Sequence, residues 1–127
     1  MAYRLYMLNT IANIIVGIVA VLHIWFLVLE MFLWTKPIGL KIFKQTLERA
    51  KSSEVLASNQ GLYNGFLAAG LIWSIFEPSP AISFQFKLFF LVCVSIAGIF
   101  GAFTVNRRVL YVQALPAFFG LAIVGLT

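Results

Sequence analysis

Residues 11–34, IANIIVGIVAVLHIWFLVLEMFLW, form one apolar run of 24 residues interrupted by only two ionisable side chains, His23 and Glu30. A helix that spans a bilayer needs about 20 mostly apolar residues. A secretion signal has an apolar stretch of roughly 7–15 residues followed by small residues at the cleavage site. This run is longer and ends in bulky Phe32, Leu33 and Trp34, so it reads as a retained spanning helix. Three more runs follow, at residues 55–76, 82–105 and 109–126. The last is the shortest; about 18 residues at ~1.5 Å rise per residue just cross a ~30 Å hydrocarbon core.

The composition points the same way. Of 127 residues, 62% are apolar and 10% charged, where soluble domains run about 45–50% apolar and about 25% charged. So few charges cannot cover so much apolar surface in water. That excludes a soluble enzyme, a disordered tail and an ordinary nucleic-acid-binding domain, and no nucleic-acid partner is expected. The predicted class is all-α: a four-transmembrane-helix bundle forming a single polytopic membrane domain over residues 1–127.

Breaks between the runs have local causes. Lys36 and Pro37 end the first run, Glu77-Pro78-Ser79-Pro80 makes a tight turn, and Asn106-Arg107-Arg108 makes a short polar one. Proline lacks an amide hydrogen and blocks helix continuation. Trp34 and Trp73 sit near predicted span ends, where amphipathic rings favour the headgroup layer. The +5 net charge is unevenly placed. Lys36, Lys41, Lys44, Arg49, Lys51, Arg107 and Arg108 fall on one side, against Arg4 and Lys87 on the other. The positive-inside rule puts the seven in the cytoplasm and both termini outside. Within residues 36–54, Ile38, Ile42 and Phe43 alternate with Lys41, Lys44 and Gln45. Two readings stay open for this stretch: an interfacial amphipathic helix, or a solvated connector.

Polar groups inside a membrane are costly, so their placement is informative. In the first run Asn13, Val16, Ala20, His23, Leu27, Glu30 and Trp34 follow a 3–4 spacing, extended by Asn9, and so share one helix face. Ile14, Val21, Val28 and Phe32 occupy the opposite, lipid-compatible face. His23 lies near mid-bilayer, and Glu30 about two turns, roughly 10 Å, along the axis. The pair is a candidate for proton exchange through water. The plainer alternative has His23 bonded to a neighbouring helix and Glu30 paired with a basic side chain.

The second run opens Ser58-Asn59-Gln60-Gly61-Leu62-Tyr63-Asn64-Gly65. Counting from the basic loops places Asn59, Gln60 and Asn64, and Gln113 in the fourth run, near the depth of Glu30. Tyr63 and Tyr111 are further candidates. The expectation is a polar, ligand-binding cluster of His23, Glu30, Asn59, Gln60, Asn64 and Gln113, set against hydrogen bonds that only hold helices together. Gly61, Gly65 and Ala69, and likewise Cys93, Ala97 and Gly101, recur every fourth residue and form close-packing faces. Pro116 should bend the fourth helix near Val112 and free a carbonyl beside Gln113. With one Cys and one His, no structural zinc site is expected within one chain, no catalytic residue can be assigned, and the cofactor stays unknown.

The stretch Asn59-Gln60-Gly61-Leu62-Tyr63-Asn64-Gly65-Phe66-Leu67-Ala68-Ala69-Gly70, with His23, Glu30, Gln113 and Pro116, resembles an uncharacterised bacterial family of small four-helix integral membrane proteins, a domain of unknown function. That resemblance implies a multi-pass protein of the bacterial inner membrane and no established activity. The architecture is also similar to the membrane-associated glutathione and eicosanoid enzymes, which form trimers with sites between subunits. Asn59 matches an asparagine of their second helix, while Leu62 stands where they carry Glu and Ser58 where they carry Arg. Three functions follow as expectations: binding or passing a small ligand, ion or proton, within a homo-oligomer; an enzyme acting on a lipophilic or thiol-linked substrate; and an accessory or scaffold subunit.

Overall fold

The computed structural model describes residues 1–127, and every regular element in it is helical. In chain order these are α1 (Ala2–Met31), α2 (Pro37–Phe43), α3 (Leu47–Phe76), α4 (Pro80–Thr104) and α5 (Leu115–Val124), with a π-helical turn, Leu110–Ala114, running directly into α5. By length and composition, α1 and α4 are each able to cross a membrane; the stretch Leu110–Val124 is a shorter apolar helix.

The long elements form an up-down-up-down ring. α1 packs on α3, α3 on α4, α4 on the π turn and α5, and α5 closes back on α1. Each pairing is antiparallel. Leu27 meets Gly65 while Gly17 faces Ile75; Ser83 Oγ donates to the Ser74 carbonyl at 2.6 Å; Gly98 meets Ala114 while Leu91 meets Gly120. The core sits between the helices: Val16, Val19 and Ala20 of α1, Leu71 of α3, Leu91 and Val94 of α4 and Ala117 of α5. It is thin, with 24 of 127 residues buried, and large apolar side chains cover the outside.

The helix bounds differ from the apolar runs for physical reasons. α1 begins at Ala2 rather than residue 11, because hydropathy marks where charges stop and a helix continues past that point. It ends at Met31 rather than residue 34, where the amides of Phe32 and Leu33 both donate to the Val28 carbonyl. α3 begins at Leu47 rather than residue 55, because Thr46 caps it: its Oγ1 accepts from the Arg49 amide at 3.3 Å. Glu48 in the first turn complements the positive end of the helix. The stretch 36–54 is thus largely helical. α2 starts with Pro37 at its first turn and ends at Lys44, whose backbone is left-handed at φ 50. Ile38, Ile42 and Phe43 are exposed on α2, as are Lys41 and Lys44 beside them.

The bend expected at Pro116 takes the form of the π turn. With no amide hydrogen on Pro116, the register slips by one residue, and the Leu115 amide donates to the Leu110 carbonyl.

Gly98 sets how closely this turn approaches α4. A Cβ added there would lie 2.7 Å from the Ala114 backbone nitrogen and 2.9 Å from its Cα, with no flexible side chain to yield, whereas at Gly17 the nearest atom is Ile75 Cδ1 at 3.8 Å. Gly98→Ala should therefore lower stability by about 1–3 kcal/mol, read as thermal unfolding in detergent, and Gly17→Ala should leave the midpoint unchanged. Equal midpoints for both variants would contradict the packing described.

Candidate functional site

The α1 stripe faces the bundle as its spacing predicts. Val16, Ala20 and His23 are buried, and Asn13, Leu27, Glu30 and Trp34 are half-buried. Ile14, Val21 and Phe32 on the opposite face are exposed, and Val28 is half-buried. The six candidate residues do not form one cluster. They separate into two pairs and an exposed remainder.

The first pair joins α1 to the π turn. His23 is fully buried. Its Nδ1 lies 2.7 Å from the Val19 carbonyl, and its Nε2 lies 3.1 Å from Gln113 Nε2. A carbonyl only accepts, so Nδ1 carries the hydrogen. Nε2 then offers its lone pair, and the Gln113 amide donates to it. The imidazole is neutral and held in one tautomer, with Phe26 edge-on at a centroid separation of 5.4 Å.

The second pair joins α1 to α3. Asn64 Nδ2 donates to Glu30 Oε2 at 2.7 Å. The close-packing face explains how so short a side chain reaches. A Cβ at Gly61 would lie 3.1 Å from Glu30 Cβ and 3.2 Å from the Leu27 carbonyl, and one at Gly65 would meet Leu27 Cδ1 at 2.7 Å. Helices separated by a Cγ would hold Asn64 out of range. Glu30 thus pairs with an amide rather than a basic side chain, and His23 and Glu30 have different partners.

Asn59 and Gln60 are exposed and join neither pair. Counting along the chain said nothing of rotation about the α3 axis: Ala57, Gly61, Ala68 and Leu71 turn inward, which turns Asn59 and Gln60 out. Tyr63 and Tyr111 are exposed as well. Asn13 faces inward, but its Oδ1 is buried without a partner. No group of three or more His, Cys, Asp or Glu side chains converges in a way that could hold a metal.

A feature not foreseen from the sequence lies at the basic end. A cavity of about 670 Å³ opens between the α1–α3 connection and the turn before the π segment. Gln113, Phe26 and Val112 line it, as do Trp34 and Phe43, whose rings pack at 4.6 Å. Its exposed rim carries Lys44, Arg49 and Arg108, and no carboxylate lines it. Trp34 is fixed by donating to the Ala50 carbonyl and Ser53 Oγ, both at 3.1 Å. The basic residues of both turns therefore meet at one end of the bundle. Their number was visible in the sequence; that they enclose a space beside Gln113 depends on α2 folding across that end.

Residues 17–125 match the family described as a protein of unknown function (DUF1304). The chain is 31% identical over 121 residues to the uncharacterized protein YpaA of Lactococcus lactis subsp. lactis (strain IL1403), an alignment covering 92% of this chain and 95% of that one. No solved structure matches.

The His23 geometry has a spectroscopic signature. At neutral pH the ¹⁵N shifts of His23 should show a protonated Nδ1 and an unprotonated Nε2, and Gln113→Leu should move the Nε2 resonance while leaving Nδ1 in place. A protonated Nε2 in the wild-type protein would contradict the assignment.

Proposed function

We propose the following for this chain, which belongs to the DUF1304 family: it is a four-span membrane protein that binds one small ligand in the cavity at its basic end, with the Gln113–His23 pair at the inner limit. The cavity carries this reading. At about 670 Å³ it falls within the roughly 300–1,000 Å³ typical of small-molecule sites, and like them it combines apolar walls with a few placed polar groups.

The membrane setting is supported by the outer surface. Ile14 and Val21 of α1, Phe66 of α3 and Phe89 and Phe100 of α4 are each more than half exposed, an arrangement that water would not tolerate over so large an area. α1 and α4 are long and apolar enough to span. On this reading α3 spans with its residues 55–76 and projects its charged first turns into the headgroup layer, and the π turn with α5 forms the short fourth span. The basic end then faces the cytoplasm and both termini face out, giving a multi-pass protein of the bacterial cell membrane. Asn59, Gln60 and Tyr63 are exposed, and on this reading they lie within the span of α3. Polar side chains there are expensive against lipid, so this face is where a second copy packs in a homo-oligomer.

An enzyme on a thiol-linked substrate is less well supported. Asn59, the residue that carries the similarity to the glutathione enzymes, is exposed and is not among the residues lining the cavity. The Glu30–Asn64 pair fits interhelical fastening, worth roughly 0.6 kcal/mol on average for such bonds, and supplies the α1–α3 contact rather than the ligand site.

Two measurements test the proposal. In a Cys93→Ser background, a membrane-impermeant maleimide added to intact cells should leave Lys44→Cys unlabelled and label Thr127→Cys; the reverse pattern would refute the orientation. In native mass spectrometry, wild-type protein released from detergent should carry a small-molecule adduct on each chain and appear as an oligomer. Val112→Trp, which fills the cavity, should carry none. Equal adduct loads in both proteins would refute the ligand site.

A further inference from the structure

We infer that the ligand is a single-chain anionic amphiphile whose head is a phosphate monoester, taken from the cytoplasmic leaflet. This rests on the cavity reading above and adds the chemistry of the occupant.

The rim fixes the sign of the head group. Lys44, Arg49 and Arg108 come from three different segments, the end of α2, the first turn of α3 and the turn before the π segment, and no acid lines the cavity to offset them. Three cations in one rim repel each other unless an anion sits among them. A phosphate monoester carries about −1.5 to −2 charge at neutral pH, and the planar guanidinium fork matches its oxygens better than an ammonium does. A carboxylate offers one charge to three cations.

Gln45 adds an independent sign. Its Nε2 is buried and donates to nothing in the protein, yet Gln45 lines this cavity. A buried donor without an acceptor costs about 1–3 kcal/mol, and a turn of the Gln45 amide toward the cavity would let a head-group oxygen relieve that cost. The neighbouring Lys44 sits in the left-handed region at φ 50, a conformation that disfavours side chains by roughly 1–2 kcal/mol. It is the C-cap that ends α2, and it brings Lys44 to the rim.

The walls fix the other half of the molecule. Phe26, Trp34, Phe43, Val109 and Val112 present an apolar interior behind the charged rim. Ile42 belongs to the same wall and is exposed on the outer side of α2, so the apolar surface continues to where acyl chains lie in the membrane reading. Inorganic phosphate would fill the rim and leave this wall bare.

The test uses the full chain in phosphatidylcholine nanodiscs, with Trp25→Phe and Trp73→Phe leaving Trp34 as the only reporter. Octyl phosphate should shift its emission saturably. Arg49→Gln with Arg108→Gln should weaken that binding by roughly tenfold or more, and Gln45→Leu by about three- to tenfold. Binding of octyl glucoside, which has the same chain and a neutral head, should not respond to these substitutions, which also shows that the variants remain folded. Octyl glucoside binding as tightly as octyl phosphate, or octyl phosphate indifferent to the loss of both arginines, would overturn the anion assignment while leaving the cavity as a ligand site. Inorganic phosphate competing at equal concentration would overturn the amphiphile and point to a soluble anion. If no probe bound wild-type protein and native spectra showed no adduct, the cavity reading itself would fall.

Discussion

Pro116 has no amide hydrogen, and much of the candidate site follows from that. The Val112 carbonyl loses its helical donor, the hydrogen-bond register slips by one residue, and residues 110–114 widen into a π turn. The wider turn is tucked against Gly98 and Gly101 of α4 and brings Gln113 to His23 across the bundle. A regular helix would rotate Gln113 away from α1. It would also remove the wall that Val109, Val112 and Gln113 give the cavity. A single backbone defect thus sets a helix contact, the tautomer of a buried imidazole and the shape of the space beside them.

The other half of the bundle is held by a different device. Gly61 and Gly65 let α3 approach α1 until a short amide reaches Glu30. In lipid, hydrophobic burial contributes little between helices, so close backbone packing and interhelical hydrogen bonds carry association. With a core this thin, close backbone approach and the Glu30–Asn64 bond are the contacts that fasten α1 to α3. Beyond α2, the basic end is braced by Trp34, which bonds the first turns of α3. The two polar pairs and this brace tie α1 to α3 and to the π turn at successive depths.

Much of this was legible in the sequence, and the failures have physical causes. The stripe through His23 and Glu30 was readable because a lone helix has a fixed period, and the same period put Ile14 and Val21 outside. Pro116 announced a disturbance at residue 112. Hydropathy could not give the helix ends at Ala2 and Leu47, because it reports the cost of leaving water and not the continuity of the backbone. Thr46 was the available sign for the second of these. Asn59 and Gln60 were placed by depth, which says nothing about rotation about the α3 axis. The cavity depends on three segments distant in sequence, so no local pattern carried it. The seven basic residues could be counted in the sequence, but which of them line a common space is an outcome of the tertiary fold.

The tautomer of His23 has an effect beyond the imidazole. Because Nε2 accepts, the Gln113 amide is locked with its nitrogen toward the ring. The same ring nitrogen pattern holds the Val19 carbonyl on the other side, so the tautomer and the contact between α1 and the π turn are set together. A charge placed on this ring would therefore be felt first as a loosened seam between the first helix and the last.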